Sequence, residues 1–359
     1  MRAPRVVEAA PESDRYGELP HPRETSALFG QEEAERALLE AYASGRLPQA
    51  WILGGPEGVG KATLAWRFAR FLLAHPDPAT AAVAAARTLD VAPSHPAARQ
   101  IVSLSHSDVF LLRREWNDKV KKHFTEIRVD EVRRAIHIFQ QAAAGQGYRV
   151  CILDSAEDLN RSAANALLKL IEEPPPRSVF LIIAHRPGRI MPTIRSRCRL
   201  LHLQPLSPEA LGRALDQFAG TSDVEPETRR ISIERSAGSV REALKRLGGE
   251  AARLQERIEA LLARLPDVDW RDVHKLADAV SARESLTEYE TVIATVFEWL
   301  DDAVVRGAGL GPRRLAPYAE VWEKLGAAVR ETEALNLDKR PLILSLFADL
   351  ANATRASRG

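Results

Sequence analysis

Gly54-Gly55-Pro56-Glu57-Gly58-Val59-Gly60-Lys61-Ala62-Thr63 decides how this chain is read. The apolar run Ala50-Trp51-Ile52-Leu53 leads into it, and an amphipathic stretch from Leu64 to Leu73 follows. Strand, glycine-rich turn and helix in that order are the context a phosphate-binding loop requires. The glycines let backbone N–H groups turn inward around an anion, and the helix N-terminus adds the positive end of its dipole. Lys61 supplies a point charge for terminal phosphates. The candidate phosphate-contacting residues are therefore Gly55, Pro56, Gly58, Val59, Gly60, Lys61, Ala62 and Thr63.

One position breaks the pattern. The residue after the lysine is ordinarily Ser or Thr, whose hydroxyl ligates Mg²⁺. Here it is Ala62, and a methyl group cannot ligate a metal. Thr63 comes one residue late and is expected to face another direction on the first helical turn. The loop reads as able to hold phosphates and poorly equipped to hydrolyse them.

Working outward, Arg149-Val150-Cys151-Ile152-Leu153-Asp154 is an apolar strand ending in a carboxylate. In nucleoside triphosphatases a carboxylate there helps to hold Mg²⁺, whereas its structural alternative is a turn or helix-capping role. ATPases with an extra strand in this sheet place a glutamate next to polarise the attacking water. Here Ser155 occupies that place, and Glu157 lies two residues further on, expected to point elsewhere. Two hydrolytic positions are thus compromised together, on opposite sides of one site.

Other stretches fit the same plan. Val109–Leu112, Val179–Ala184 and Leu200–Leu203 read as further strands, and near-continuous apolar runs belong to parallel sheets covered on both faces. Helices are expected over 31–42, 62–74, 127–143 and 162–172, the last stopped by Pro174-Pro175-Pro176. Residues 76–105, rich in alanine and proline, read as a surface insertion with a short helix at 79–89. Beyond Pro205 the pattern is helical. Ser207 caps a helix with Pro208 at its first position, another spans 226–236, and Ser239–Glu242 is a capping box opening a helix to about Leu262. Apolar periodicity then recurs over 285–305, 315–330 and 338–352. The expected organisation is a poorly ordered lead-in over 1–25, an α/β domain over 26–205, a helical lid over 206–264 and an all-α domain over 265–359.

Bulk properties narrow the function classes. The 359 residues carry a formal net charge of +1, so nothing global draws the chain to nucleic acid or membrane. No apolar run reaches membrane-spanning length, and the first residues lack the apolar core of a signal peptide. The two cysteines, Cys151 and Cys198, have no CxxC partner, which excludes a zinc reading and fits a reducing, cytoplasmic setting. The nine histidines are scattered, and no nucleophilic triad emerges. Arg195, Arg197 and Arg199 form a basic run whose bland reading is a solvated face. Its functional reading is an arginine finger, which stabilises charge on a transferring phosphate. Arg241, in the first turn of its helix, reads equally as a surface residue or as a group reaching phosphate.

These segments together resemble the clamp-loader AAA+ family. The resemblance rests on Gly55–Lys61, on Asn165-Ala166-Leu167-Leu168-Lys169-Leu170-Ile171-Glu172-Glu173-Pro174-Pro175, on Ser196-Arg197-Cys198 and on Gly238–Leu244. Asn336-Leu337-Asp338-Lys339 is also similar to the family's last domain. The resemblance implies an AAA+ α/β module, a small helical lid and a C-terminal collar that oligomerises the ring.

It also implies a place in the bacterial DNA polymerase III holoenzyme, a nucleotidyltransferase assembly of which this chain would not be the polymerase. The expected partners are gamma/tau and delta subunits in a hetero-pentamer, the sliding clamp and, through the assembly, primer-template DNA. ATP is the candidate ligand, with Mg²⁺ only alongside it. Arg197 matches the finger acting in trans, Arg241 the sensor-2 position, and Ala184-His185 the sensor-1 region, where Thr or Asn is usual. Ala62 and Ser155 set the chain apart from gamma/tau motors and resemble the rigid, non-motor subunits. The lack of any cysteine between residues 61 and 151 departs from the zinc module that many of those subunits also carry, so the resemblance implies an insertion over 76–105 that is built differently. An autonomous gamma/tau-like motor is the alternative. A small-molecule kinase would leave the Glu-Glu-Pro-Pro and Ser-Arg-Cys segments without a role.

Overall fold

The computed structural model describes residues 11–17, 19–140, 147–218, 221, 224–247, 249–281, 286–306, 311–335 and 337–358. The chain divides into two compact units, Met1–Leu244 and Lys245–Gly359.

The first unit opens with α1 (Glu32–Ala43), β1 (Ala50–Gly54) and α2 (Lys61–Ala74). The insertion that follows holds two short helices, α3 (Ala81–Ala85) and α4 (Pro96–Val102). Then come β2 (Val109–Leu112), a small antiparallel hairpin of β3 (Trp116–Asn117) and β4 (Lys122–His123), and α5 (Val129–Gln140). The sheet is completed by β5 (Arg149–Leu153), β6 (Ser178–Ala184) and β7 (Arg199–His202). Helices α6 (Arg161–Glu172) and α7 (Pro192–Arg195) lie between these strands. The expected end of the helix before Gly145 lies outside the described residues.

The five long strands form one parallel sheet in the order β2-β5-β6-β1-β7. The loop-bearing strand β1 sits between β6 and β7, with Gly54 opposite Ala184 and His202. β1, β5 and β6 are buried along their whole length. Alternation sends Ile52, Cys151, Phe180 and Ile182 into one core layer with Phe139, Leu167 and Ile171. Each such side chain removed from water stabilises by roughly 1.5–3 kcal/mol. This is a parallel α/β module, with the C-terminal ends of its central strands all at one end of the sheet.

α6 starts where Asn160 caps it, its side chain accepting from Ala163 N–H at 2.9 Å. Helices α8 (Pro208–Leu215) and α9 (Pro226–Arg235) follow the sheet, with α10 (Val240–Leu247) after them. Ser207 caps α8 by accepting from Ala210 N–H, as its sequence predicts. At α10, Ser239 Oγ accepts from Glu242 N–H at 3.2 Å, while the Ser239 N–H goes to Ser236.

The second unit is entirely helical among the described residues: α11 (Gly249–Ala263), α12 (Trp270–Ser281), α13 (Leu286–Arg306), α14 (Pro312–Leu335) and α15 (Lys339–Arg358). Ile258, Leu262, Val273, Val292, Leu300, Ile343 and Phe347 share one core. The helix expected from Ser239 to about Leu262 is described as α10 and α11 on either side of residue 248, which lies outside the described residues, and α11 packs with the helices that follow it.

A second correction concerns residues 1–25. From residue 11 onward the described part is packed onto the sheet domain. Asp14 Oδ2 lies 2.9 Å from His21 Nε2, both side chains almost fully buried, and Asp14 also pairs with Arg113 beyond β2. Glu12 joins Arg23 at 2.8 Å and Arg113 at 3.0 Å. Burial pushes the Glu12 carboxyl up, but Arg23, Arg113 and Arg15 outweigh it and hold it at about 2. Polar, proline-bearing sequence reads as a lead-in, and the ion pairs that fasten it are with residues far along the chain.

Candidate functional site

β1 delivers the chain into the glycine loop and α2 carries it away. Gly55 has φ +145° and lies against the Leu203 carbonyl, where a Cβ would collide. Gly58 has φ +74°, and a Cβ there would come within 2.8 Å of Arg241 N. Both positions therefore require glycine. The loop is clasped from two further sides. Gln31, ahead of α1, donates through Nε2 to Val59 O at 3.0 Å and Gln204 O at 2.7 Å. Val240 N–H, at the start of α10, donates to Gly58 O at 3.0 Å.

Lys61 opens α2 and is 3% exposed. Its ammonium donates back to the loop, to Gly55 O at 2.7 Å and to Pro56 O. Burial draws it down to about 8, against the pull of Asp154 and Glu57. Asp154 follows the end of β5, and burial pushes its carboxyl up to about 7, with Asp14 adding to the rise and Lys61 opposing it. At neutral pH Lys61 thus stays mostly charged, and Asp154 holds a proton part of the time.

A cavity of about 410 Å³ opens beside these groups. It brings together Gly58, Val59, Gly60, Lys61, Ala62, Thr63, Asp154 and Arg241 from the predicted set. Gly55 and Pro56 form the turn beneath Lys61. Thr63, expected to face away, contributes to the wall as well. Arg241 pairs with Glu57 at 3.1 Å and lies over the Tyr16 ring, 4.8 Å from its centroid. His185, after β6, also lines the cavity, and burial draws its imidazole down, with Lys61 adding to that effect.

Sequence reasoning did not find Tyr16, Asp14 or Gln31. Their neighbours here are remote in sequence, and none sits in a local motif. The side chain at 62 is a methyl group, and buried Ser155 offers a hydroxyl where a carboxylate would activate water. Glu157 is turned away, its Oε1 accepting from Arg186 N–H at 2.6 Å. The arrangement suits a phosphate chain: an ammonium at a helix N-terminus, a glycine turn and a second cation in Arg241. It suits Mg²⁺ less, since Asp154 is left without a hydroxyl ligand opposite.

Arg197 stands apart from this cavity. It follows α7, is 43% exposed, and its Nε contacts Glu172 Oε1 at 2.7 Å. Arg199 lies over Trp51 on β7, and Arg195 is exposed. Among the described residues no cluster of His, Cys, Asp and Glu could hold a metal ion. No helix in the described residues is long and apolar enough to cross a membrane.

Residues 30–207, from two residues before α1 to the first cap after the sheet, match the family profile described as "DNA polymerase III, delta subunit". DNA polymerase III subunit delta' of Pseudomonas aeruginosa is 38% identical over 149 residues, 42% of this chain and 41% of that protein. Residues 30–207 are thus similar to delta-type subunits of DNA polymerase III. Subunits named gamma and gamma/tau match too. The gamma subunit of Buchnera aphidicola is 26% identical over 234 residues, covering 63% of this chain and 58% of its own length. The gamma/tau subunit of Mycobacterium tuberculosis is 26% identical over 301 residues, covering 82% and 47%. The matches thus span less than two thirds of these relatives. A gamma subunit-related protein of Thermotoga maritima aligns over 89% of this chain and all of its own, with a TM-score of 0.44 and 14% identity.

Proposed function

We propose that this chain is the delta-prime subunit of a DNA polymerase III clamp loader. In this reading it assembles with gamma/tau and delta subunits and helps ATP-driven placement of the sliding clamp on primed DNA. Its own glycine loop hydrolyses ATP weakly or not at all, and Arg197 serves the ATP of an adjacent motor subunit. Residues 206–264 act as the lid and residues 265–359 as the collar.

The observation that carries the reading is the pairing of an intact cradle with a disabled hydrolytic set. Gly55, Gly58 and Lys61 keep the geometry of a phosphate loop. The wall nevertheless presents Ala62 and Ser155 where a metal-ligating hydroxyl and a water-activating carboxylate would stand. Arg197 is exposed and stands outside the cavity, which supports a role toward a neighbour. The 38% identity to a subunit named delta' supports the same choice over a motor subunit.

If nucleotide binds, Lys61 and the backbone of residues 58–61 would hold its phosphates, and Arg241 would exchange Glu57 for phosphate. The test compares ATP turnover by the isolated chain with turnover by a loader reconstituted from this chain, a gamma/tau subunit and delta. The expected result is negligible turnover alone and clamp- and DNA-stimulated turnover in the assembly. Robust turnover by the isolated chain would establish the motor reading instead.

A further inference from the structure

The Glu-Glu-Pro-Pro segment has no role in the cavity, yet it meets the Ser-Arg-Cys segment. Glu172 is the last residue of α6, and Arg197 lies just past α7. Glu172 Oε1 is 2.7 Å from Arg197 Nε. Arg197 Nη1 donates to the Thr193 carbonyl at 3.0 Å and to Ser196 Oγ at 3.3 Å. Among the described residues Nη2 meets no acceptor. The guanidinium is therefore held at Nε and at Nη1, and Nη2 between them is offered.

Both anchors are fixed from below. α6 is seated by Leu167, Leu170 and Ile171, and α7 by Ile194, which is 2% exposed. Pro174 and Pro175 stop α6 one turn after that seat, so the carboxylate cannot be carried off by a fraying helix. A carboxylate in the last turn of a helix is disfavoured by the helix dipole, which prefers a cation there. Glu172 is a costly residue at this place unless a cation answers it, and Arg197 does.

We propose that Glu172 is a positioning residue for Arg197: it holds the guanidinium by Nε so that Nη2 is presented to a phosphate on the adjoining subunit. This rests on the trans-acting reading of Arg197 above. An unheld arginine spreads over many rotamers, and a planar fork held in one orientation loses less freedom when it engages phosphate. A half-exposed ion pair confers a modest advantage, so the expected effect is a factor of a few.

The test measures clamp- and DNA-stimulated ATPase of the reconstituted loader with Glu172→Ala, Glu172→Gln, Arg197→Ala and Glu172→Ala/Arg197→Ala in this chain. Glu172→Ala is expected to lower kcat about fivefold with KM for ATP unchanged. Glu172→Gln, which keeps an oxygen of the same reach beside Nε, should stay within about twofold of the parent. The double variant should match Arg197→Ala alone, because a positioning residue has no effect once its target is gone. A parental or raised kcat in Glu172→Ala, or losses that multiply in the double variant, would overturn the positioning role and leave the finger standing. Parental kcat in Arg197→Ala would instead refute the finger itself. Unchanged thermal melts of each variant separate these outcomes from misfolding.

Discussion

Glu57 and Arg241 join the glycine loop to α10 through a 3.1 Å ion pair, with Arg241 also resting on Tyr16. Three segments far apart in sequence thus share one cation at the mouth of the cavity. Glu57 is 49% and Arg241 42% exposed, and pairs so exposed contribute about 0–1 kcal/mol. Arg241→Ala is therefore expected to leave the melting temperature within about 2 °C of the parent. Under the proposed function the same variant lowers affinity for a fluorescent ATP analogue several-fold, because the second cation is lost. Titration of parent and variant checks both parts.

Gly58 supports a sharper prediction about stability. Its φ is positive, and a methyl group there would press on Arg241 N and Ser239. Gly58→Ala should destabilise the first unit by about 1–3 kcal/mol in urea unfolding. Gly188 has an ordinary φ and no atom within 4 Å of a added Cβ, so Gly188→Ala is the control, expected within about 0.5 kcal/mol of the parent. Equal effects at the two positions would contradict the packing described for the loop.

Asp154 gives a pH dependence with a definite sign. Its carboxyl is raised from the ordinary 3.8 to about 7, chiefly by burial. Between those values the unfolded chain has released a proton that the folded chain retains, so this group lowers stability as pH rises through the window. The full penalty stands above about pH 7. Asp154→Asn removes it and should raise the melting temperature by roughly 2–5 °C at pH 7.5, with a smaller gain at pH 5. Thermal melts at the two pH values check this. A gain that grows toward low pH would reverse the sign and contradict the burial assigned to the carboxyl.

Asp14 fastens the N-terminal strap through His21 and Arg113. Burial raises its carboxyl, but the His21 contact and Arg113 outweigh that and hold it below the ordinary range. Removing one member of a buried pair leaves the others uncompensated. Asp14→Ala should release the strap and speed tryptic cleavage after Arg15 and Arg23 by about tenfold or more, with the sheet domain still folded. Cleavage at the parental rate would mean the strap is held by other contacts.

Much of this was legible from residue order. Unbroken apolar runs at β1, β5 and β6, each closed by a turn, allow only a parallel sheet covered on both faces, and that is what forms. Ser207 and Pro174 mark helix ends by local chemistry, which needs no tertiary knowledge. The β3–β4 hairpin was not legible, because two-residue strands carry no period. Neither was α12, whose apolar positions lie in a short stretch between polar ones. The strap escaped for another reason: Asp14, Glu12 and Arg23 look solvated until Arg113, about a hundred residues on, is folded against them. In the site, the loop and Asp154 announced themselves through spacing. Tyr16, Gln31 and the Glu172–Arg197 contact depend on elements brought together only by the sheet and its flanking helices.

The central claim is that this chain contributes Arg197 to a neighbour's ATP. It is tested most directly by the ATPase rate of a loader reconstituted with Arg197→Ala, measured with clamp and primed DNA present. The account predicts a folded, assembled complex whose rate falls by a factor of up to about a thousand. A loader that assembles with this variant and turns over ATP at the parental rate would contradict it.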